Sequence, residues 1–248
     1  MSLPFDLGMG GGLYMALACI IAAFVRGYSG FGFSALLIAA SGLVTNPLNV
    51  VAVVVVCEFL MSAQLWRRVG PDVDWSRVLA LTAGAVVGLP LGLWILTAVP
   101  ENAARAAISL YILVMCAVLL AGWKIARPMG RRENLLAGVA SGLANAPGMG
   151  GLPVVAYFAA QGIQASVFRA TLVAYFPILD IYSAPLYWLN GMVTADTFWA
   201  ALWAIPFVFF GNWLGGRHFL NTDPQDFRRF AILLLAGLAA LGLVKSVL

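Results

Sequence analysis

The chain has 248 residues, of which 62% are hydrophobic and only 10% charged, with 26 Gly, 12 Pro and 8 Trp. A soluble domain carries roughly 25% charged residues, so an ordinary water-soluble globule is excluded and a polytopic membrane protein is indicated. Fourteen Lys and Arg against ten Asp and Glu is the small excess that cytoplasmic loops require, and too little to point to nucleic acid.

The N-terminus, MSLPFDLGMGGG, lacks a basic leader, so the first apolar stretch is expected to stay in the protein. That stretch, 13–44, is interrupted by the glycine-rich knot RGYSGFG at 26–32. Three uninterrupted apolar spans follow, at 46–66, 78–99 and 103–123. A second interrupted stretch, 135–162, carries NAPGMGG at 145–151, and three more spans follow at 170–189, 195–216 and 230–248. Crossing about 30 Å of hydrocarbon takes roughly 20 helical residues. An arm of about 13 residues, about 20 Å long, suits a re-entrant hairpin better than a crossing. Its irregular tip must be buried in protein or line an aqueous cavity. Cys19, Cys57 and Cys116 stand inside apolar runs and read as small buried hydrophobes, with neither metal spacing nor a disulfide framework.

The two halves correspond. Gly30 and Gly32 match Gly148 and Gly150, Gly88 and Gly92 match Gly211 and Gly215, and Pro100 and Arg105 match Pro224 and Arg229. The expected fold is therefore an all-α polytopic membrane protein of two repeats, 1–126 and 127–248, each a broken hairpin plus three transmembrane helices. If each hairpin returns to its own side, Arg67, Arg68, Arg77, Lys124, Arg127, Arg131, Arg132, Arg169, Arg217, Arg228 and Arg229 share one face. Only Arg105 and Lys245 face them, with Arg26 at a tip. If each interrupted stretch crosses once, the split is far more even, so the positive-inside rule favours inverted repeats with both termini outside. Tips entering from opposite faces and meeting near the midplane would follow a recurring plan of secondary transporters.

At each tip a short helix should start at the glycines and turn its free N–H groups and positive dipole end into the site, an anion-binding arrangement. Tyr28, Ser29 and Asn145 can add donors. Arg26 is the sharpest residue, because a guanidinium at membrane depth is kept near a ligand or a counter-charge. Two acids, Glu58 and Asp180, also lie well inside spans, as proton carriers or partners of Arg26. The series Gly84, Gly88, Gly92 and the pair Gly211, Gly215 read as close helix packing. Arg105 and Arg229 read as interfacial anchors, and Trp66, Trp75, Trp123 and Trp188 fit an aromatic belt.

An enzyme is the competing class. Gly27-Tyr28-Ser29-Gly30 spells GxSG, the serine motif of rhomboid proteases, but a nucleophilic serine needs a base. The one histidine, His218, follows the end of a span. No HExxH, Walker or dinucleotide motif occurs; neither an enzyme, a cofactor nor a resident metal is expected.

The paired blocks FVRGYSGFGFSALLIAA and SGLANAPGMGGLPVVAYF, each followed by three spans, resemble the TauE/SafE (sulfite exporter, TSUP) family over nearly the whole chain. The resemblance implies a transporter of small sulfur-containing anions such as sulfite, sulfoacetate or other organosulfonates. By motif position it implies Arg26, Gly27, Gly30, Gly32, Gly148, Gly150, Gly151 and Pro153 as site residues. The first block is the Arg-Gly-x-x-Gly-Phe-Gly variant, with Ser34 and Ala35 where many members carry proline. The expected partners are the small anion, the lipid bilayer of a bacterial inner membrane and protons, with an anion channel as the alternative; the sequence leaves the oligomeric state open.

Overall fold

The computed structural model describes residues 4–125, 129–218 and 224–247, with side chains except at 67–70, 101, 218, 224–231 and 245–247. The expected half boundary at 126/127, Arg127, and the side chains of Arg67, Arg68, His218, Arg228, Arg229 and Lys245 lie outside the described residues. Among the described residues there are ten α-helices and no strand: α1 Met9–Ser29, α2 Phe33–Ser41, α3 Pro47–Val69, α4 Trp75–Ala98, α5 Glu101–Ala121, α6 Arg131–Asn145, α7 Gly151–Ala160, α8 Ala165–Leu189, α9 Ala195–His218 and α10 Pro224–Val247. Among the described residues, six helices are long and apolar enough to cross a membrane: α1, α3, α4, α5, α8 and α9. Their outer surfaces are apolar, with Leu13, Val87, Trp94, Leu110, Ile181 and Trp203 each more than half exposed. That inversion of the soluble pattern is what lipid solvent demands.

Both interrupted stretches fold back. Tyr14, in the second turn of α1, donates its hydroxyl to the carbonyl of Ala40 near the end of α2, at 3.3 Å. Tyr157 of α7 likewise donates to Asn134 Oδ1 in the first turn of α6, at 2.9 Å. A continuing helix would put each pair far apart. The arms are unequal, however. The first arm, α1, has 21 residues against 9 in α2, and α6 has 15 against 10 in α7. At 1.5 Å per residue α1 is about 31 Å long. The expected 13-residue arm is thus too short, because the helix starts at Met9 and runs through the glycines at 10–12 rather than beginning at Leu13.

The glycine series set the helix pairs. A Cβ on Gly84, Gly88 or Gly92 would come within 3.0 Å of the backbone of α6, at Leu135, Val139 and Leu143 in turn. Gly211 and Gly215 meet the backbone of α1 at Ile20 and Phe24 in the same way. The residue numbers rise together, so α4 runs parallel to α6 and α9 parallel to α1. These small faces let backbones touch, which is how helices associate where the hydrophobic effect between them is absent. The other principal pairs are α3 with α8 and α5 with α10. Exchanging α1–α5 for α6–α10 maps each of these pairings onto itself or onto another of them.

Prolines stand inside α4 (Pro90), α8 (Pro177, Pro185) and α9 (Pro206). They are tolerated because neighbouring helices and local adjustments satisfy the freed carbonyls. Trp66 and Trp75 meet edge to face across the α3–α4 connection, and Trp123 and Trp188 are largely exposed at helix ends.

Candidate functional site

The first tip is built by backbone geometry. Gly30 (φ 83°) and Gly32 (φ 95°) adopt the left-handed conformation that a side chain would strain. The Gly30 N–H closes α1 on the Arg26 carbonyl at 2.7 Å. Ser29 Oγ lies 2.8 Å from the Val25 carbonyl and 2.9 Å from that of Phe31, so its one hydrogen is held within the turn. Gly27 abuts the backbone of Asn212 on α9, and its carbonyl accepts from Arg169 Nη2 at 2.7 Å.

Three residues back from the turn, Arg26 is fully buried (0% exposed). Its Nη1 donates to Glu58 Oε1 at 2.9 Å and its Nη2 to Ser62 Oγ at 2.7 Å. Glu58 and Ser62 are four apart on α3, one helical turn, so both face the guanidinium fork. The backbone N–H and the hydroxyl of Ser34, in the first turn of α2, lie beside the Glu58 carboxylate. The α2 N-terminus therefore already faces an anion, a carboxylate of the protein itself. The face of the guanidinium lies over the Phe176 ring, 5.0 Å from its centroid.

Phe176 also touches the second hairpin, since a Cβ on Gly151 would sit 3.0 Å from its ring. One turn further along α8, Asp180 is buried, with Arg26 and Glu58 as its charged neighbours. Its Oδ2 has no hydrogen-bond partner.

The second tip is tied by side chains. Ser141 Oγ donates to the Gly150 carbonyl at 2.6 Å and lies 2.7 Å from the Tyr175 hydroxyl. Asn145 Oδ1 accepts from the Gly150 N–H, its carbonyl accepts from the Tyr187 hydroxyl, and its buried Nδ2 has no partner. Gly148 (φ 77°) faces Ile38 of α2 and Val51 of α3. Pro153 stands in the first turn of α7, where a missing N–H costs nothing.

Along α8 the first tip is held by Arg169, and the second meets Tyr175 and Phe176 through Ser141 and Gly151 and Tyr187 through the Asn145 carbonyl. The hairpins are joined by Phe176, which packs on both Arg26 and Gly151, and by Gly148 against Ile38. Two cavities, about 300 Å³ between α1, α3 and α9 and about 540 Å³ between α5, α7 and α10, open elsewhere.

Of the residues expected from sequence, Arg26 and Glu58 are in contact, Asp180 and Gly151 lie beside them, and Tyr28 is buried in α1. Ser34, Ser62, Phe176, Ser141, Tyr175 and Tyr187 escaped sequence reasoning. The i,i+4 spacing of Ser62 from Glu58 and of Phe176 from Asp180 was the signal available. Arg105, expected as an interfacial anchor, donates to the Gly42 carbonyl just past α2, and Arg169 reaches the first tip. Chemically, the fork, two hydroxyls and a helix N-terminus form a buried oxyanion cradle.

A family model described as "Sulfite exporter TauE/SafE" matches residues 15–242. The chain belongs to this family. No curated protein and no solved structure gives a significant match. Membership together with the apolar helices makes this TauE/SafE protein an integral membrane protein of transporter class.

Proposed function

We propose that this TauE/SafE protein is a secondary transporter that exports a small sulfur-containing anion, such as sulfite, sulfoacetate or another organosulfonate, by alternating access around Arg26. The observation that carries this reading is the fully buried Arg26 between the hairpins, with its donors on Glu58 and Ser62 and its face on Phe176. Uncompensated charge at that depth is costly, and a planar fork suits a sulfonate or carboxylate better than a point charge would. The proposed binding residues are Arg26 with Tyr28, Ser29, Gly30 and Gly32 of one tip and Asn145, Gly148, Gly150, Gly151 and Pro153 of the other. Gly27 serves the seat on α9, and Glu58 and Asp180 are the proton carriers.

Two inverted repeats are the architecture of this reading. Its support is directional: α2 returns along α1, α3 and α4 then alternate, and α6 runs with α4, so α6 enters opposite to α1. Because α9 runs with α1, α10 ends on the side where α1 begins. The positive-inside rule then favours both termini outside. An inside-negative potential, worth about 2.3 kcal/mol per charge per 100 mV, favours export only of an anion that moves without a proton.

The test is reconstitution in liposomes with sulfite, sulfoacetate, taurine, isethionate and simple carboxylates, with and without a pH gradient. Saturable flux of the sulfur anions that disappears in Arg26→Ala is expected. Equal flux from that variant and the parent would remove the site, and flux that never saturates would favour a channel. Glu58→Gln and Asp180→Asn with unchanged pH dependence would remove proton coupling through these acids.

A further inference from the structure

The fork is partly engaged: Arg26 Nη1 holds Glu58 and Nη2 holds Ser62, while the buried Nε has no partner. Arg26 Nη1, the Ser34 N–H and the Ser34 hydroxyl all converge on one carboxylate, that of Glu58. Arg26, Ser34, Glu58 and Ser62 are all less than 9% exposed. An incoming sulfonate or carboxylate has the same planar or trigonal array of acceptor oxygens, and the free Nε draws it to the one guanidinium that Glu58 already neutralises. Two anions on one guanidinium would leave a net negative charge in a dehydrated site beside Asp180, and like charges at such range disfavour ionisation of one partner.

We propose that Glu58 is a tethered stand-in for the transported anion: it holds the Arg26–Ser34 cradle when the site is empty and yields it by taking up a proton, so that one proton is bound with each anion. This rests on the transport reading above. Charge balance fixes the stoichiometry. With Glu58 ionised, the Arg26–Glu58 pair is neutral; with Glu58 protonated, the pair is a single positive charge that a monoanion neutralises. The neutral carboxyl gives up the guanidinium and the α2 N-terminus, and no covalent bond is made or broken apart from the O–H on Glu58.

The surroundings leave Glu58 as the group on the donors. From α1 it is faced by Arg26 and, through neighbouring Cys57, by Cys19; from α8 by Asp180 and Tyr187. From α2 it is faced by Ser34, which does not titrate in this range. On α9, Asn212 is spent on Gln64 and the charges Asp196 and Arg217 stand near the two helix ends. Asp72 lies in the 3-10 turn beyond α3. Asp180 has no donor on Oδ2, so it is not held in the cradle.

The experiment is isothermal calorimetry of the purified full-length protein with isethionate, whose own charge is constant, between pH 5 and pH 8 and in two buffers of different ionisation enthalpy. The parent is expected to take up about one proton per isethionate. Its affinity should fall by up to about tenfold per pH unit once Glu58 is ionised in the empty site, as linkage requires. Glu58→Gln, nearly isosteric, should bind with no proton uptake and a flat pH profile. Saturable, Arg26-dependent binding by the parent with no proton uptake would overturn this proposal and leave the anion site standing. So would parent-like uptake in Glu58→Gln. Binding unaffected by Arg26→Ala, or absent from the parent for every anion, would overturn the site itself. The proton count on the parent decides the matter without any variant.

Discussion

At the scale of single residues, the Arg26–Glu58 pair separates function from stability. Removing one partner of a buried ion pair typically costs about 3–5 kcal/mol because the other charge is left stranded, whereas replacing both by apolar groups is often neutral. Arg26→Ala alone is therefore expected to lower the thermal midpoint in detergent. The double variant Arg26→Met/Glu58→Leu should unfold near the parent's midpoint yet move no anion. A double variant that still transports would place the anion elsewhere. Arg26→Lys is a further check. Two different nitrogens of the fork reach Glu58 and Ser62, and a point-like ammonium cannot reproduce that spread. Anion affinity should fall at least about tenfold, the equivalent of one hydrogen bond to a charged group, measured in the same calorimeter.

At the scale of elements, the two parallel pairs, α1 with α9 and α4 with α6, are held by glycines rather than by large side chains. Gly88→Val would drive a side chain into the Val139 carbonyl and Leu143 N–H. The helices must separate, and destabilisation of more than about 2 kcal/mol is expected, in the range of overpacked cores. Gly237→Ala on α10 is the contrast, since no atom lies within 4 Å of its Cβ position. It should be neutral or gain up to about 1 kcal/mol from helix propensity. Thermal melts of the two variants in one detergent check both; equal midpoints would mean that the α4–α6 contact is not tight. The hairpins are ordered differently, each closed near its base by one tyrosine hydroxyl. Tyr14→Phe and Tyr157→Phe should each cost about 1 kcal/mol, and they should loosen the return arms without touching Arg26.

At the scale of the whole molecule, the expected topology places the Arg131 end of α6 inside and the α8–α9 turn outside. Both positions are exposed, and the three native cysteines are buried. A cysteine at Asn190 should react with a membrane-impermeant maleimide on intact cells, and one at Arg131 only in inside-out vesicles. The reverse pattern would turn the molecule over.

Composition alone made this a membrane protein, because 10% charge cannot solvate a globule of this length. The apolar helical runs, the glycine turns and the burial of Arg26, Glu58 and Asp180 were also legible, though α8 starts at Ala165 and α10 at Pro224, five and six residues ahead of the expected spans. Each is a local property: a run of apolar residues, a turn that only glycine tolerates, a charge where lipid forbids one. The partner of Arg26 was not legible, since Glu58 lies 32 residues away and Asp180 154, and no spacing rule chooses between acids on different helices. Packing decided it, by setting α3 against the first tip so that Glu58 meets Arg26 beside the start of α2. The length of α1 was not legible either: the helix runs through the glycines at 10–12, ahead of the expected start at Leu13. A guanidinium at depth was thus foreseen from sequence, while its pairing with the protein's own carboxylate was decided only by the fold.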